Sequence, residues 1–151
     1  MAQVEKFGRQ YHSLDTFETE DADTIFITMG SISETARSAI TEMREKGEKV
    51  GLINLRLWRP FPGRKMIEAI GNTKKVVVLD RMLSPGSQGG PLGLELRAAY
   101  YNEAIRPKIW DFVVGLGGRQ ISRLSIKQIY KDVGQKRYEP SKYTLYDARM
   151  K

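Results

Sequence analysis

Cysteine is absent from the 151 residues, which excludes disulfides, thiolate metal sites and iron–sulfur ligation by this chain. Histidine is reduced to His12, so neither a histidine-based catalytic triad nor a histidine zinc cluster can be assembled. No apolar run approaches the roughly 20 residues that span a bilayer, and Met1 to Phe7 lacks the apolar core of a signal peptide. Phosphate-binding signatures are missing as well. No Gly-x-x-x-x-Gly-Lys loop occurs, and the run Gly115-Leu116-Gly117-Gly118 has Gln120 where a dinucleotide fingerprint needs its third glycine. These absences leave a globular domain with the cytoplasm as its default location, no membrane partner, and no metal or cofactor held by its own residues.

What is present is charge, unevenly placed. The formal net charge is +7, but the first 24 residues carry −4 and the remaining 127 carry +11. A basic body with an acidic leading arm suits anionic partners, or an arm that lies on its own domain. Arg123, Lys127 and Lys131 recur every four residues, which raises nucleic acid as a partner. With no aromatic platform interleaved, that stripe is nonspecific, and nucleic acid is not the expected ligand.

Residues 1–22 show no sustained periodicity and read as an acidic arm or linker. From Asp23 to about residue 135, short β-branched runs alternate with amphipathic stretches, the pattern of an α/β layered domain. The runs Thr24 to Met29, Val50 to Leu57, Lys75 to Leu79 and Ile109 to Val114 predict four strands, and Pro60 and Pro62 bar continuation of the second. Ser31 and Glu34 have the spacing of a capping box, with Gly47 placed to end the helix they begin. Further helices are predicted over Arg64 to Ile70, from Pro91 through Tyr100, and from Ser122 to about Val133. Helical crossovers between these strands require parallel pairing. Residues 136–151 form a basic tail, packed on the domain or frayed.

Ligands of open α/β sheets bind outside the carboxyl ends of the strands. At that edge the sequence places Gly30 and Ser31, Arg59, Asp80 and Arg81, and the loop containing Gly117, Gly118 and Arg119. Arginines 59, 81 and 119 leave three different strands and could gather on one anion or dock an acidic neighbour. Alternatively, each caps a helix or pairs with Asp80 or a neighbouring domain. The glycine run reads as a tight turn with positive φ at Gly117 or Gly118.

Several motifs in one order carry a family resemblance. They are Phe7-Gly8-Arg9-x-Tyr11, Glu20-Asp21-Ala22-Asp23, Met29-Gly30-Ser31, Arg56-Leu57-x-Arg59-Pro60-Phe61-Pro62, Val78-Leu79-Asp80-Arg81, Gly89-Gly90-Pro91-Leu92 and Gly115-Leu116-Gly117-Gly118-Arg119. From about Lys6 to Val133 the chain resembles the C-terminal part of the alpha subunit of pyruvate:ferredoxin oxidoreductase and related 2-oxoacid:ferredoxin oxidoreductases. The resemblance implies a three-layer α/β/α sandwich with a mainly parallel sheet, like the C-terminal domain of transketolase, whose role is chiefly to assemble subunits. It implies a complete complex that decarboxylates a 2-oxoacid on thiamine diphosphate with magnesium, passes electrons through iron–sulfur clusters to ferredoxin, and forms an acyl-CoA. Gln120 departs from the family's usual acidic residue, and no Gly-Asp-Gly motif for the diphosphate and magnesium occurs. The chain therefore reads as a fragment or separately encoded piece of the alpha subunit, inactive alone, its partners the other domains and subunits. A free-standing anion-binding or interaction module with the same fold is the alternative.

Overall fold

The computed structural model describes residues 12–83 and 85–147. Phe7, Gly8, Arg9 and Tyr11 of the first motif, the first half of the arm and the last four residues of the tail lie outside that range. Six strands form one mixed sheet: β1 (Leu14–Phe17), β2 (Thr24–Met29), β3 (Val50–Leu55), β4 (Lys75–Asp80), β5 (Lys108–Val113) and β6 (Tyr143–Leu145). Their order is β1-β3-β2-β4-β5-β6, with β1 antiparallel to β3 and every other pairing parallel.

The four inner strands are those predicted from β-branched runs. Phe26, Leu52, Val77 and Phe112 point to one face, where they meet α1 (Ile32–Arg44) and α4 (Arg123–Gly134) through Ile40, Met43, Ile126 and Ile129. Ile25, Ile27, Ile53 and Val78 point to the other, against α2 (Gly63–Ile70) and α3 (Pro91–Ala99) through Met66, Ile70, Leu92 and Leu96. Alternation along each strand thus fills both faces, giving the α/β/α sandwich. Each fully buried Ile, Val or Phe contributes about 1.5–3 kcal/mol relative to exposure.

Three sequence expectations need correction. The second strand ends at Leu55, two residues early, because Arg56 and Leu57 turn away and both donate their amides to the Ser13 carbonyl. Ser31 does not cap α1: its backbone is already helical and its side chain makes no capping bond. The capping box instead opens α4, where Ser122 accepts from the Ser125 amide and the Ser125 hydroxyl accepts from the Ser122 amide. The sheet also gains two edge strands from segments read as arm and tail.

Those segments are fastened by polar groups. Arg44 donates from Nε to the Val50 carbonyl at 2.7 Å, from Nη2 to the Glu18 carbonyl at 2.6 Å, and from Nη1 to Asp21 at 2.7 Å. Asp15 pairs with Arg56 at 2.9 Å, so the acidic residues here lie on the chain's own basic body. At the other edge Trp110 Nε1 donates to the Tyr138 carbonyl at 2.9 Å, and the Tyr138 ring meets Phe112 edge-on with centroids 5.1 Å apart.

Candidate functional site at the carboxyl edge of the sheet

All four parallel inner strands deliver their following loops to one end. After β2, Gly30 takes φ +75°, and the chain enters α1 through Ser33. The Ser33 hydroxyl lies 2.8 Å from the Thr28 hydroxyl and donates to Asn54 Oδ1 at 2.8 Å, tying the helix start to β2 and β3. This buried tie replaces the Ser31 cap.

After β3, Arg59 lies over the Trp58 ring, 4.3 Å from its centroid, and its Nη2 donates to Glu95 of α3 at 2.7 Å. Phe61 meets Trp58 edge-on at 5.8 Å and is half-buried at the margin of the α2–α3 face. After β5, Gly115, Gly117 and Gly118 all take positive φ, which only glycine adopts without strain. Arg119 returns from this loop to pair with Asp147 at 3.2 Å.

Arg81, after β4, packs over Gly115: a Cβ there would lie 3.2 Å from its Nη2, 3.3 Å from its Nε and 3.2 Å from the Arg119 carbonyl. The structure therefore brings Arg81 and the Arg119 loop together. Arg59 is instead held on the helix layer by Glu95. Arg81 differs from the other two in having no carboxylate partner among the described residues.

Two buried carboxylates support the same edge. Asp80, the last residue of β4, accepts from the Leu92 amide at 3.2 Å and the Gly93 amide at 3.0 Å, at the start of α3. Burial is the main cause raising its pKa to about 6; the two amides oppose the shift and the charge of Asp111 adds to it. Asp111, within β5, accepts from the Gly90 amide at 2.9 Å and from Arg97 Nη1 at 3.4 Å, and burial pushes its pKa up.

The profile of the family described as pyruvate:ferredoxin oxidoreductase core domain II matches residues 22–126, about two-thirds of the chain. The chain belongs to this family. It is similar to the ketoisovalerate oxidoreductase subunit VorA of Pyrococcus horikoshii, 41% identical over 130 residues, which are 85% of this chain and 33% of that one. It is 38% identical to the pyruvate synthase subunit PorA of Thermotoga maritima over 128 residues, 85% of this chain and 32% of that one. The chain spans about a third of the length of these curated relatives. Among solved structures, a 2-oxoglutarate:ferredoxin oxidoreductase from Magnetococcus marinus shares the fold, with a TM-score of 0.63 at 22% identity, covering 87% of this chain and 21% of that one.

In this core domain II the paired carboxylates are what sequence reading missed. The Gly89-Gly90-Pro91-Leu92 motif is more than a helix start: a Cβ at Gly89 or Gly93 would come 2.5 Å from Asp111 Oδ2, and one at Gly90 would come within 2.5 Å of the Asp80 Cβ. The glycines let the helix approach the acids. The glycine doublet was a visible signal, but its target in β5 was not. On α4 the basic stripe is partly paired, since Arg123 and Lys127 share the single carboxylate of Glu42 on α1. Among the described residues no group of three or more His, Asp or Glu side chains is placed to hold a metal ion. No helix among them is long and apolar enough to cross a membrane.

Proposed function

We propose that this chain serves as the assembly domain of an alpha subunit of a thiamine-diphosphate-dependent 2-oxoacid:ferredoxin oxidoreductase, working in the cytoplasm. The observation that carries this reading is the family match, which runs from the start of β2 to the first turn of α4 and so takes in all four inner strands. The relatives are named as ketoisovalerate oxidoreductase and pyruvate synthase subunits; for the assembled complex we infer oxidative decarboxylation of a 2-oxoacid to an acyl-CoA, with electrons passed to ferredoxin.

This chain's residues do not fit the complex's cofactors. Without cysteine it cannot ligate an iron–sulfur cluster. Asp80 and Asp111 are buried beneath the start of α3, where they accept from the Gly90, Leu92 and Gly93 amides and from Arg97, so neither is open to a magnesium diphosphate. Thiamine diphosphate, magnesium, the clusters, CoA and ferredoxin would be held by other domains and subunits, which this domain helps to position.

The test is an assay of the pure chain with pyruvate or another 2-oxoacid, CoA, thiamine diphosphate and a viologen acceptor, repeated after addition of thiamine-binding subunits. No turnover is expected from the chain alone. Sustained turnover by it would sink the reading.

A further inference from the structure

Resting on the assembly reading above, we propose that the carboxyl edge of the sheet is an apolar docking face anchored by Arg81. Its occupant is an apolar surface bearing a carboxylate, on the part of the subunit that this chain does not span.

Met29, Leu57 and Met82 are 40%, 46% and 54% exposed, and they close β2 or follow β3 and β4 by two residues. Because the sheet order runs β3-β2-β4, these side chains stand on three adjacent strand ends. Leu124, in the first turn of α4, is exposed at the same end. Apolar exposure gathered on neighbouring strand ends marks a contact surface, and methionine adapts well to an apolar partner.

Topology sharpens the point. The chain steps from β2 outward to β3, then crosses to β4 and continues to β5, so the switch point lies between β2 and β4. In nucleotide-binding relatives of this architecture a polar ligand enters there. Here Met29 and Met82 flank it. A cleft of about 850 Å³ lies instead at the amino end, lined by residues that include Asp23 and Lys75.

Charge then fixes the partner's chemistry. Arg59 and Arg119 already hold Glu95 and Asp147, whereas Arg81 stands over Gly115 with no carboxylate among the described residues. All four helices start at this end, so their dipoles also favour a negative group. Some two-thirds of the length of the relatives lies outside this chain, enough to supply such a surface.

To test this, the chain is co-expressed with the part of Thermotoga maritima PorA outside the match, and affinity is measured by calorimetry on the separated pieces. Leu57→Gln, the triple variant Met29→Gln/Leu57→Gln/Met82→Gln, and Arg81→Glu should each keep the isolated chain's Tm within about 2 °C, since all four sites are exposed. The triple variant and Arg81→Glu should weaken association about 100-fold. A control, Tyr101→Gln/Ile105→Gln, alters the exposed loop before β5 at the opposite end and should bind like the unmodified chain. Unchanged affinity in Arg81→Glu or in the triple variant, or loss in the control, would overturn the proposed face while leaving the assembly role standing. Failure of the unmodified chain to associate would remove the assembly reading itself.

Discussion

Gly90→Ala is the sharpest probe of how α3 is seated. Gly90 has φ −69° and ψ 149°, a conformation any residue adopts, so the substitution carries no backbone penalty and its effect is steric. The new methyl would sit 2.5 Å from the Asp80 Cβ and closer still to the carboxylate, against an ordinary carbon–carbon contact of about 3.5–4.0 Å. Either the Asp80 side chain leaves or the start of α3 moves outward by about 1 Å. Overpacking of this kind costs about 1–3 kcal/mol, and loss of the bonds from the Leu92 and Gly93 amides adds about 2 kcal/mol, for a total of about 3–5 kcal/mol. At about 2–4 °C per kcal/mol for a domain of this size, Tm should fall by about 10 °C in thermal unfolding followed by circular dichroism. The partner in the cycle must be Asp80→Gly, because the Asp80 Cβ is itself in the way. In Asp80→Gly/Gly90→Ala the second change should add less than about 1 kcal/mol to the first. A Tm drop below about 2 °C, or strictly additive costs, would refute the close-approach argument.

Asp80 should also give stability a pH dependence of unusual sign. Its folded pKa of about 6 lies above the ordinary carboxylate value, so the folded state binds more protons between about pH 4 and 6, and stability falls as pH rises through that window, by up to about 3 kcal/mol. Comparing Tm from pH 4 to 7.5 in the native sequence and in Asp80→Asn isolates this contribution; a difference that grows with pH in the opposite sense would contradict it. Arg97 bridges Asp111, the Ile109 carbonyl and the Pro140 carbonyl, so Arg97→Met should cost about 3 kcal/mol in urea unfolding by leaving Asp111 buried and unpaired. The same variant should speed hydrogen exchange at the Tyr146 amide, which bonds the Val113 carbonyl, and a loss below about 1 kcal/mol would show that Asp111 needs no counter-charge.

The inner sheet was legible because Val, Ile and Leu fill both faces of its strands, which leaves a continuous signal in the sequence. The edges were not. Leu14–Phe17 and Tyr143–Leu145 are short and half-buried, and they become strands through β3, β5 and fasteners such as Arg44 and Trp110, all distant in sequence. The helix starts show the same division. Ser31 and Glu34 have ideal spacing, yet the buried hydroxyl of Ser33 meets Thr28 and Asn54 and sets how the chain enters α1. Ser122 and Ser125 form the reciprocal cap without a glutamate to advertise it. At the functional edge the strand-end positions were readable from topology alone, but the partners that neutralise Arg59 and Arg119 come from α3 and the tail. Only tertiary structure could separate Arg81 from them.

The family match begins at residue 22 and ends at residue 126, whereas the hydrogen-bonded sheet begins at Leu14 and ends at Leu145. A polypeptide trimmed to the matched stretch would bare the ladder groups of β3 on one side and β5 on the other, and would cut α4 after its first turn. Exposed ladders on long apolar strands are templates for intermolecular pairing. The two short outer strands thus act as selvedges: they bring little core of their own, yet they keep a sheet built for burial from recruiting its neighbours before a larger assembly can form.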